Sequence, residues 1–437
     1  MSFHLFQAHG VECEYMIVDR ATLDVRPIAD RLLRSLAQAN AEVVEEVEGW
    51  PSEVSLGAIS ASNELVMHVA ELKLTEPAAN LDDAGTQFQD AVRRVNRALE
   101  AEGCRLLGTA MHPWMDPAKD KVLWLHGHRD VYATFDRIFD CRGHGWANLQ
   151  SVHLNLPFTG DEEFGRLHGA IRFLLPIMPS LTASSPVAEG RIGVIVDQRM
   201  EAYRTNSDRV PQVRGMLVPE GARTQAEYDA MVFHPLYKAI WPYDLSGVLQ
   251  REWLNARGAI ARFGRGTIEI RVLDVQEHPG VDVAVCALLS ATLRAMVEGE
   301  LGSLDGACAW DTRTLGGLIV ECIADAERAR VPREYALVLG VACQSPSMTA
   351  GDLWRSVLDS RGVRARLSAQ HQQAIASLLD RGCLSRRIAR ALGVDFLPPS
   401  SEGRGGPGSG VPVPRDSLMR VYQELAICLE QGRAFEA

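Results

Sequence analysis

Residues 10–19 read GVECEYMIVD, and this stretch decides the fold expected for the chain. Its residues alternate in period two, as in a half-buried β-strand. Glu12 and Glu14 would therefore project from one face of the strand. Val11 and Cys13 would project from the other face. Two carboxylates side by side repel each other, and proteins tolerate such a pair where a divalent cation joins them. For this pair alone, an exposed acidic sheet face is the alternative.

The segments around this strand alternate between extended and helical patterns as far as about residue 300. Three further extended segments are expected, at 63–74, 151–156 and 267–274. Apolar residues at helical spacing predict helices at 28–47, 80–103, 283–297 and 314–329. The fold class predicted is α+β, in which a sheet with flanking helices is followed by a mostly helical C-terminal region.

The 437 residues are 46% hydrophobic and 23% charged, which is the composition of an ordinary globular protein and excludes disordered, collagen and coiled-coil classes. The expected organisation is a sheet-containing domain over 1–300, a helical region over 301–399, a Gly/Pro/Ser-rich loop over 400–415 and a terminal helix over 416–437. Oligomeric state is left open, because the apolar helices could pack on each other or on a second subunit.

A formal net charge of −11 argues against nucleic acid as a partner. Nine scattered cysteines without CxxC spacing fit reduced thiols better than a disulfide framework. The amino terminus does not have the pattern of a signal peptide, and no uninterrupted apolar run reaches the roughly 18 residues of a membrane helix. We therefore expect a cytoplasmic protein that does not bind membranes.

Two other predicted strands carry, on one face, side chains that could ligate metal or bind phosphate. Glu269 and Arg271 share a face, and a carboxylate for metal beside a guanidinium for phosphate would suit an ATP site. A cross-strand ion pair is the alternative. His153 and Asn155 likewise share a face, where they could ligate metal or contact a substrate. A half-buried histidine whose hydrogen bonds are satisfied within the protein is the alternative.

Spacing leaves two further groups undecided. Glu64 and Glu71 lie seven residues apart, so they would share a face on a helix and oppose each other on a strand, unless a bend at Asn63 reorients Glu64. His126 and His128 alternate like metal ligands, although a surface loop is the better interpretation. The sequence has no P-loop, HExxH or GxSxG motif, which disfavours P-loop ATPase chemistry.

Taken in order, six motifs between about residues 10 and 297 resemble the glutamate-cysteine ligase family of type 2, the carboxylate-amine ligases of the glutamine synthetase-like superfamily. These motifs are GVECEYMIVD, ELVMHVAELKLTEP, GTAMHPW, SVHLNLPF, LTASSPVAEGR and GTIEIRVLD. The resemblance implies an antiparallel sheet curved into a half-barrel funnel. Its acidic concave face would bind two or three Mg²⁺, or Mn²⁺, that bridge the phosphates of ATP.

The resemblance also implies roles for individual residues. The metal ligands would be Glu12, Glu14, Glu64, Glu71, His153 and Glu269. Arg271 would hold the transferring phosphate and would act with Glu269 as the catalytic pair. Contacts to ATP or substrate would come from Asn155, Arg199, Arg204 and Arg271, with Arg191 as an alternative in the looser segment after the SSP motif.

The implied reaction is ATP-dependent and ADP-forming, with the γ-carboxylate of glutamate as the expected donor and an acyl phosphate as intermediate. The acceptor is left open among cysteine, other amino acids, small amines and a peptide terminus. His153-Leu154-Asn155 stands where the family often has HxH, and residues 132–148 differ from versions associated with glutamate and cysteine. The alternatives are a metal-dependent amide or phosphoester hydrolase and a non-catalytic relative that binds metal or nucleotide.

Overall fold

The computed structural model describes residues 3–39, 41–127, 129–397 and 406–436. In chain order its strands are β1 (Gly10–Asp19), β2 (Glu42–Val47), β3 (Trp50–Ser55), β4 (Ile59–Asn63), β5 (Val69–Leu74), β6 (Cys104–Leu107), β7 (Ser151–Pro157), β8 (Val187–Ala188), β9 (Arg191–Ile192), β10 (Ala259–Arg262), β11 (Thr267–Asp274), β12 (Arg330–Pro332), β13 (Ser347–Thr349) and β14 (Val411–Pro412).

Helices surround these strands and dominate the second half of the chain. They are α1 (Ala29–Gln38), α2 (Ala84–Leu99), α3 (Pro117–Asp120), α4 (Arg129–Phe139), α5 (His144–Ala147), α6 (Gly160–Leu174), α7 (Pro179–Thr182), α8 (Gln198–Tyr203), α9 (Gln225–Tyr228), α10 (His234–Ile240), α11 (Pro279–Val297), α12 (Leu304–Cys308), α13 (Thr312–Asp325), α14 (Arg333–Val338), α15 (Ala350–Asp359), α16 (Arg361–Arg364), α17 (Ala369–Arg381), α18 (Leu384–Leu392) and α19 (Arg415–Gln431).

One nine-stranded antiparallel sheet organises the fold. Eight strands follow the order β10-β11-β7-β1-β5-β4-β3-β2, and β6 pairs with the second half of β1. The sheet is open, with β10 and β2 at its edges. Because β1 is ten residues long, it pairs with β7, β6 and β5 and stands at the centre. The predicted α+β class with a large antiparallel sheet is confirmed.

The two faces of β1 have different environments, as its alternation predicts. Val11, Cys13 and Tyr15 are fully buried in the main hydrophobic core. Helices α2 and α11 pack on this side of the sheet. Among the described residues, α11 alone is long and apolar enough to span a membrane, but most of it is buried inside the protein, which is typical of a core helix.

Two predicted elements were partly wrong. The helix expected over 28–47 ends at Gln38, and Glu42–Val47 forms the edge strand β2 instead. The apolar spacing of a helix runs only from Ile28 to Leu36, whereas the β-branched residues that follow favour a strand. The extended segment expected over 63–74 is interrupted by a turn between Asn63 and Val69. The strands predicted at 151–156 and 267–274 are confirmed.

The C-terminal region is mostly helical, as predicted, with a small two-stranded antiparallel sheet of β12 and β13. It is attached to the sheet by a fully buried ion pair between Glu277, just after β11, and Arg387 of α18. Helix α19 packs on β6 and α2. Part of the predicted loop 400–415 lies outside the described residues, and its end includes β14, which pairs with β9. The domain boundaries at 300, 399 and 415 stay a prediction.

Candidate active site

Rows of paired residues form the floor of the site. The register places Glu12 of β1 between Lys73 of β5 and His153 of β7, and it places Glu14 opposite Glu71 of β5. Side chains two residues apart on a strand share a face, so these polar groups converge on one side of the sheet. Glu12 and Glu14 thus lie on one face, as the sequence predicts.

Glu12 is held by two side chains of β7. His153 Nδ1 lies 3.0 Å from Glu12 Oε2, and Asn155 donates its Nδ2–H to Glu12 Oε1 at 3.1 Å. Burial opposes protonation of His153, but its hydrogen bond to Glu12 and the charges of Glu14 and Glu12 raise its pKa to about 9. Without a cation, the imidazolium therefore offsets part of the negative charge of the floor.

The acidic residues form two sets of three ligand groups. In the first set are Glu12, Glu71 and His153, and in the second are Glu14, Glu64 and Glu71, with the ligand atoms of each set within 4.8 Å of one another. The turn after Asn63 brings Glu64 to this cluster, which is the bend considered from the sequence.

The electrostatics of this cluster favour a cation. Burial raises the pKa of Glu71 to about 7, with a further contribution from the charge of Glu12. Burial also raises the pKa of Glu64 well above its ordinary value, and the charge of Glu71 acts in the same direction. Buried carboxylates this close are stabilised when divalent cations neutralise them.

Glu269 and Arg271 share a face of β11, as predicted, and they form an ion pair. Arg262 of β10 also binds Glu269, with its Nη1 2.8 Å from Oε2. Burial acts to raise the pKa of Glu269, but the charges of Arg271, His153 and Arg262 outweigh it and lower that pKa to about 2. Glu269 belongs to neither ligand set, so its proposed metal role rests on the family resemblance.

The arginines after the SSP motif are placed differently from one another. Arg199 of α8 is almost fully buried, pairs with Asp274 at the end of β11, and lines the site. Asp274 also accepts hydrogen bonds from the Ser184 backbone N–H and the Ser185 hydroxyl. Arg204 pairs instead with Glu201 at 2.5 Å and does not line the site.

Arg191 also lies outside the site, because its Nη1 donates to the Gly410 carbonyl at 2.6 Å. His126 binds Asp30 and stacks on Trp50, so it is not near the acidic floor. His128 lies outside the described residues. Arg204 and Arg191 therefore do not face the acidic floor.

The floor faces a cavity of about 410 Å³. Its roof comes from α5 and α8, which contribute Trp146 and Tyr203, and from Asn206 just after α8. The Trp146 indole donates to the Asn206 carbonyl at 2.9 Å, which joins the two parts of the roof. Carboxylates below and aromatic groups above suit a site that closes around a reacting group and excludes water.

A second cavity of about 660 Å³ continues from the first. Both cavities are lined by Glu12, Lys73 and Arg265, so they meet at these side chains. Asn155 lines the second cavity. The walls of this second cavity also include the aromatic rings of Phe158 and Phe263.

Sequence analysis missed several lining residues. Lys73 follows Glu71 by two positions in a strand, so alternation alone could have placed both on one face. Arg262, Arg265 and Trp146 reach the site through long-range strand and helix packing, and no local pattern indicates that.

The comparison with known families decides the assignment. The model described as "Glutamate-cysteine ligase family 2" matches residues 8–318. The chain belongs to this family. It is therefore a carboxylate-amine ligase of the glutamate-cysteine ligase type, as the sequence resemblance indicated.

Two relatives illustrate its place in the family. An Archaeoglobus fulgidus protein named as uncharacterized is 35% identical over 289 residues, which cover 66% of this chain and 74% of that protein. A Rubrobacter xylanophilus protein named "Putative glutamate--cysteine ligase 2-3" is 26% identical over 298 residues, which cover 67% of this chain and 70% of that protein.

Solved structures share the fold. The glutamate-cysteine ligase of Francisella tularensis, solved with AMP, matches with a TM-score of 0.58 at 12% identity over 98% of this chain and 89% of that one. A bifunctional glutathione synthetase from Pasteurella multocida matches with a TM-score of 0.54 at 12% identity over 89% of this chain and 50% of that one. At such identity, these likenesses show the fold alone.

Proposed function

We propose that the protein couples ATP hydrolysis to ADP with the joining of the γ-carboxylate of glutamate to an amine, through an acyl phosphate. The observation that carries this proposal is the pair of acidic ligand sets that share Glu71 on the floor, beside Arg271. A buried group of carboxylates next to a guanidinium suits a site for metal-bound phosphate.

The donor sets fit Mg²⁺ or Mn²⁺, which prefer oxygen ligands and also accept an imidazole. Glu12, Glu71 and His153 would hold one ion, and Glu14 and Glu64 would hold another together with Glu71. When bound, such ions would neutralise charge on the transferred phosphoryl group.

We place the nucleoside of ATP in the second cavity. The rings of Phe158 and Phe263 offer stacking surfaces there, and Gly264 and Gly266 leave room for close approach. The triphosphate would then extend past Arg265 toward Glu12, where the two cavities meet. Arg265 makes no ion pair or hydrogen bond within the described part of the chain, so its guanidinium is available to phosphate.

We place the carboxylate donor on the other side of the phosphates, between Arg271 and Arg199. Asp274 binds Nε of Arg199, and the Nη groups make only long contacts of 3.4 and 3.5 Å to the Arg271 carbonyl. These Nη groups are therefore available to bind the α-carboxylate of glutamate in a bidentate manner.

The proposed reaction has two steps. An oxygen of the γ-carboxylate attacks the γ-phosphorus of ATP, the bond to the β-phosphate oxygen breaks, and ADP leaves. The amine nitrogen then attacks the acyl carbon, the carbon–oxygen bond to phosphate breaks, and inorganic phosphate and a proton are released. Arg271 would position the phosphoryl group, and its ion pair with Glu269 fixes the guanidinium on the floor.

Hydroxylamine provides a test that does not depend on the natural amine. Purified protein with Mg²⁺, ATP, glutamate and hydroxylamine should release ADP and form the γ-hydroxamate, measured by coupled assay and mass spectrometry. The Glu71→Gln variant should lose this activity. Glu430→Gln is the matched control, since Glu430 binds Arg105 and does not line either cavity. Hydrolysis of amides or phosphate esters without nucleotide would instead support a hydrolase.

A further inference from the structure

We propose that the amine acceptor is a primary amine on an uncharged, apolar or aromatic body without a carboxylate, so that free amino acids such as cysteine are poor acceptors. This inference rests on the proposed function and specifies the substrate class of its acceptor subsite. It depends on where the basic and apolar side chains lie along the cavity.

The register of β1 and β5 gives the cavity a direction. Lys73 pairs with Glu12 beside the second cavity, and Val69 pairs with Met16 at the other end. These two rows are four residues apart, which is about 13 Å along the strands. The metal-ligand rows lie between them. The proposed nucleotide and the row of Val69 are therefore at opposite ends, with the phosphoryl transfer in the middle.

Apolar side chains line the end beyond the metal ligands. Leu149 precedes Ser151, whose hydroxyl binds Glu14 at 2.8 Å, so Leu149 continues the β7 row past the acidic floor. His68 Nε2 lies 2.7 Å from the Ala147 carbonyl, which holds α5 over the turn before Val69. The lining residues of this end are Leu65, Val66, Val69, Trp146 and Leu149.

The polar groups at this end also suit an uncharged body. Asn206 lines the cavity, and its Oδ1 is buried with no hydrogen-bond partner. An amide oxygen accepts hydrogen bonds from an amine or a hydroxyl and repels a carboxylate.

Most basic side chains of the cavity already have a carboxylate partner. Six line it in the part of the chain that the structure describes: Lys73, His153, Arg199, Arg262, Arg265 and Arg271. His153 is already bound between Glu12 and Glu14. Lys73 pairs with Glu53 at 2.7 Å, and both Arg262 and Arg271 pair with Glu269. Arg265, which is free, lies at the junction with the second cavity.

Arg199 is the remaining cation between the metal ligands and the apolar end. Its partner Asp274 pairs with Ser151 in the sheet, so Arg199 lies beside the Glu14 row and not beside Val69. If Arg199 binds the α-carboxylate of the glutamate donor and Arg265 binds the triphosphate, none of the described cations of the cavity is left for a second carboxylate. An acceptor carboxylate would then be buried without a partner near several glutamates, which is strongly unfavourable.

Matched acceptors that differ only by a carboxylate test this inference. The pairs are phenethylamine against L-phenylalanine and cysteamine against L-cysteine, each with ATP, Mg²⁺ and glutamate. We expect kcat/KM to be at least about 100-fold higher for the amine without the carboxylate. Equal or better use of L-cysteine than of cysteamine would overturn the inference.

A variant provides the converse test. Leu149→Arg adds a cation at the apolar end and should shift the ratio of kcat/KM values toward the amino acid by at least about tenfold, whereas Leu149→Gln should not. An unchanged ratio in a folded Leu149→Arg protein would contradict the assignment. Hydroxylamine separates this inference from the proposed function. Hydroxamate formation combined with a preference for amino acids would overturn only the inference, and absence of hydroxamate would overturn both.

Discussion

Glu71→Gln should stabilise the metal-free protein and at the same time remove its response to Mg²⁺. Glu71 belongs to both ligand sets, and burial together with the charge of Glu12 raises its pKa from 4.5 to about 7. Each pH unit corresponds to about 1.4 kcal/mol, so an ionised Glu71 costs the folded state about 3 kcal/mol above pH 7.

The sign follows from proton binding. A raised pKa means that the folded state retains a proton that the unfolded state has lost between pH 4.5 and about 7. The free energy of unfolding in EDTA should therefore fall as the pH rises through this range, and Glu71→Gln should remove this part of the fall. Loss of the Ser62 hydrogen bond and the Lys73 contact reduces the gain, so we expect the variant to be about 1–3 kcal/mol more stable at pH 8.

Urea denaturation at pH 5 and pH 8, in EDTA and in Mg²⁺, measures the free energy of unfolding and its dependence on pH and metal. Mg²⁺ at 100 times its Kd should stabilise the wild-type protein by about 2.7 kcal/mol and the variant by much less. Glu430→Gln is the control for a change of charge away from the floor. A variant that is less stable than the wild-type protein in EDTA at pH 8, or that keeps the full Mg²⁺ response, would refute the reasoning.

Three other changes have expected outcomes. Glu269→Gln should lower kcat for ADP release by at least about 1000-fold while the circular dichroism spectrum is retained, and near-normal turnover in the folded protein would remove Glu269 from the mechanism. Arg199→Lys loses the planar guanidinium and should raise KM for glutamate about 10- to 100-fold, with a smaller effect on KM for ATP in the same steady-state assay. Arg387→Ala leaves Glu277 buried without its partner, so urea denaturation should show a loss of about 3–5 kcal/mol; a loss below 1 kcal/mol would contradict this role for the ion pair.

The local sequence pattern was enough to predict the strands at the centre of the sheet. The alternation in residues 10–19 predicted β1 and the shared face of Glu12 and Glu14, because strand geometry alone determines it. The same argument placed His153 and Glu269 on strands. Spacing alone did not indicate a function for these strands. The family resemblance, which depends on the order of the motifs, predicted the ligase.

Long-range packing explains what could not be predicted. The edge strand β2 follows directly after a helix, and a window that included both segments favoured one long helix. Glu64 joins the cluster only because the chain turns between β4 and β5. The ion pair of Arg204 with Glu201 depends on side-chain placement that no motif specifies.

Transfer of labelled oxygen tests the central claim most directly. Glutamate carrying ¹⁸O in its γ-carboxylate should pass one labelled oxygen to inorganic phosphate for each amide formed, because that oxygen bridges carbon and phosphorus in the acyl phosphate. Mass spectrometry of the released phosphate measures the transfer. One ¹⁸O per phosphate is the result expected, and amide formation with unlabelled phosphate would contradict the account.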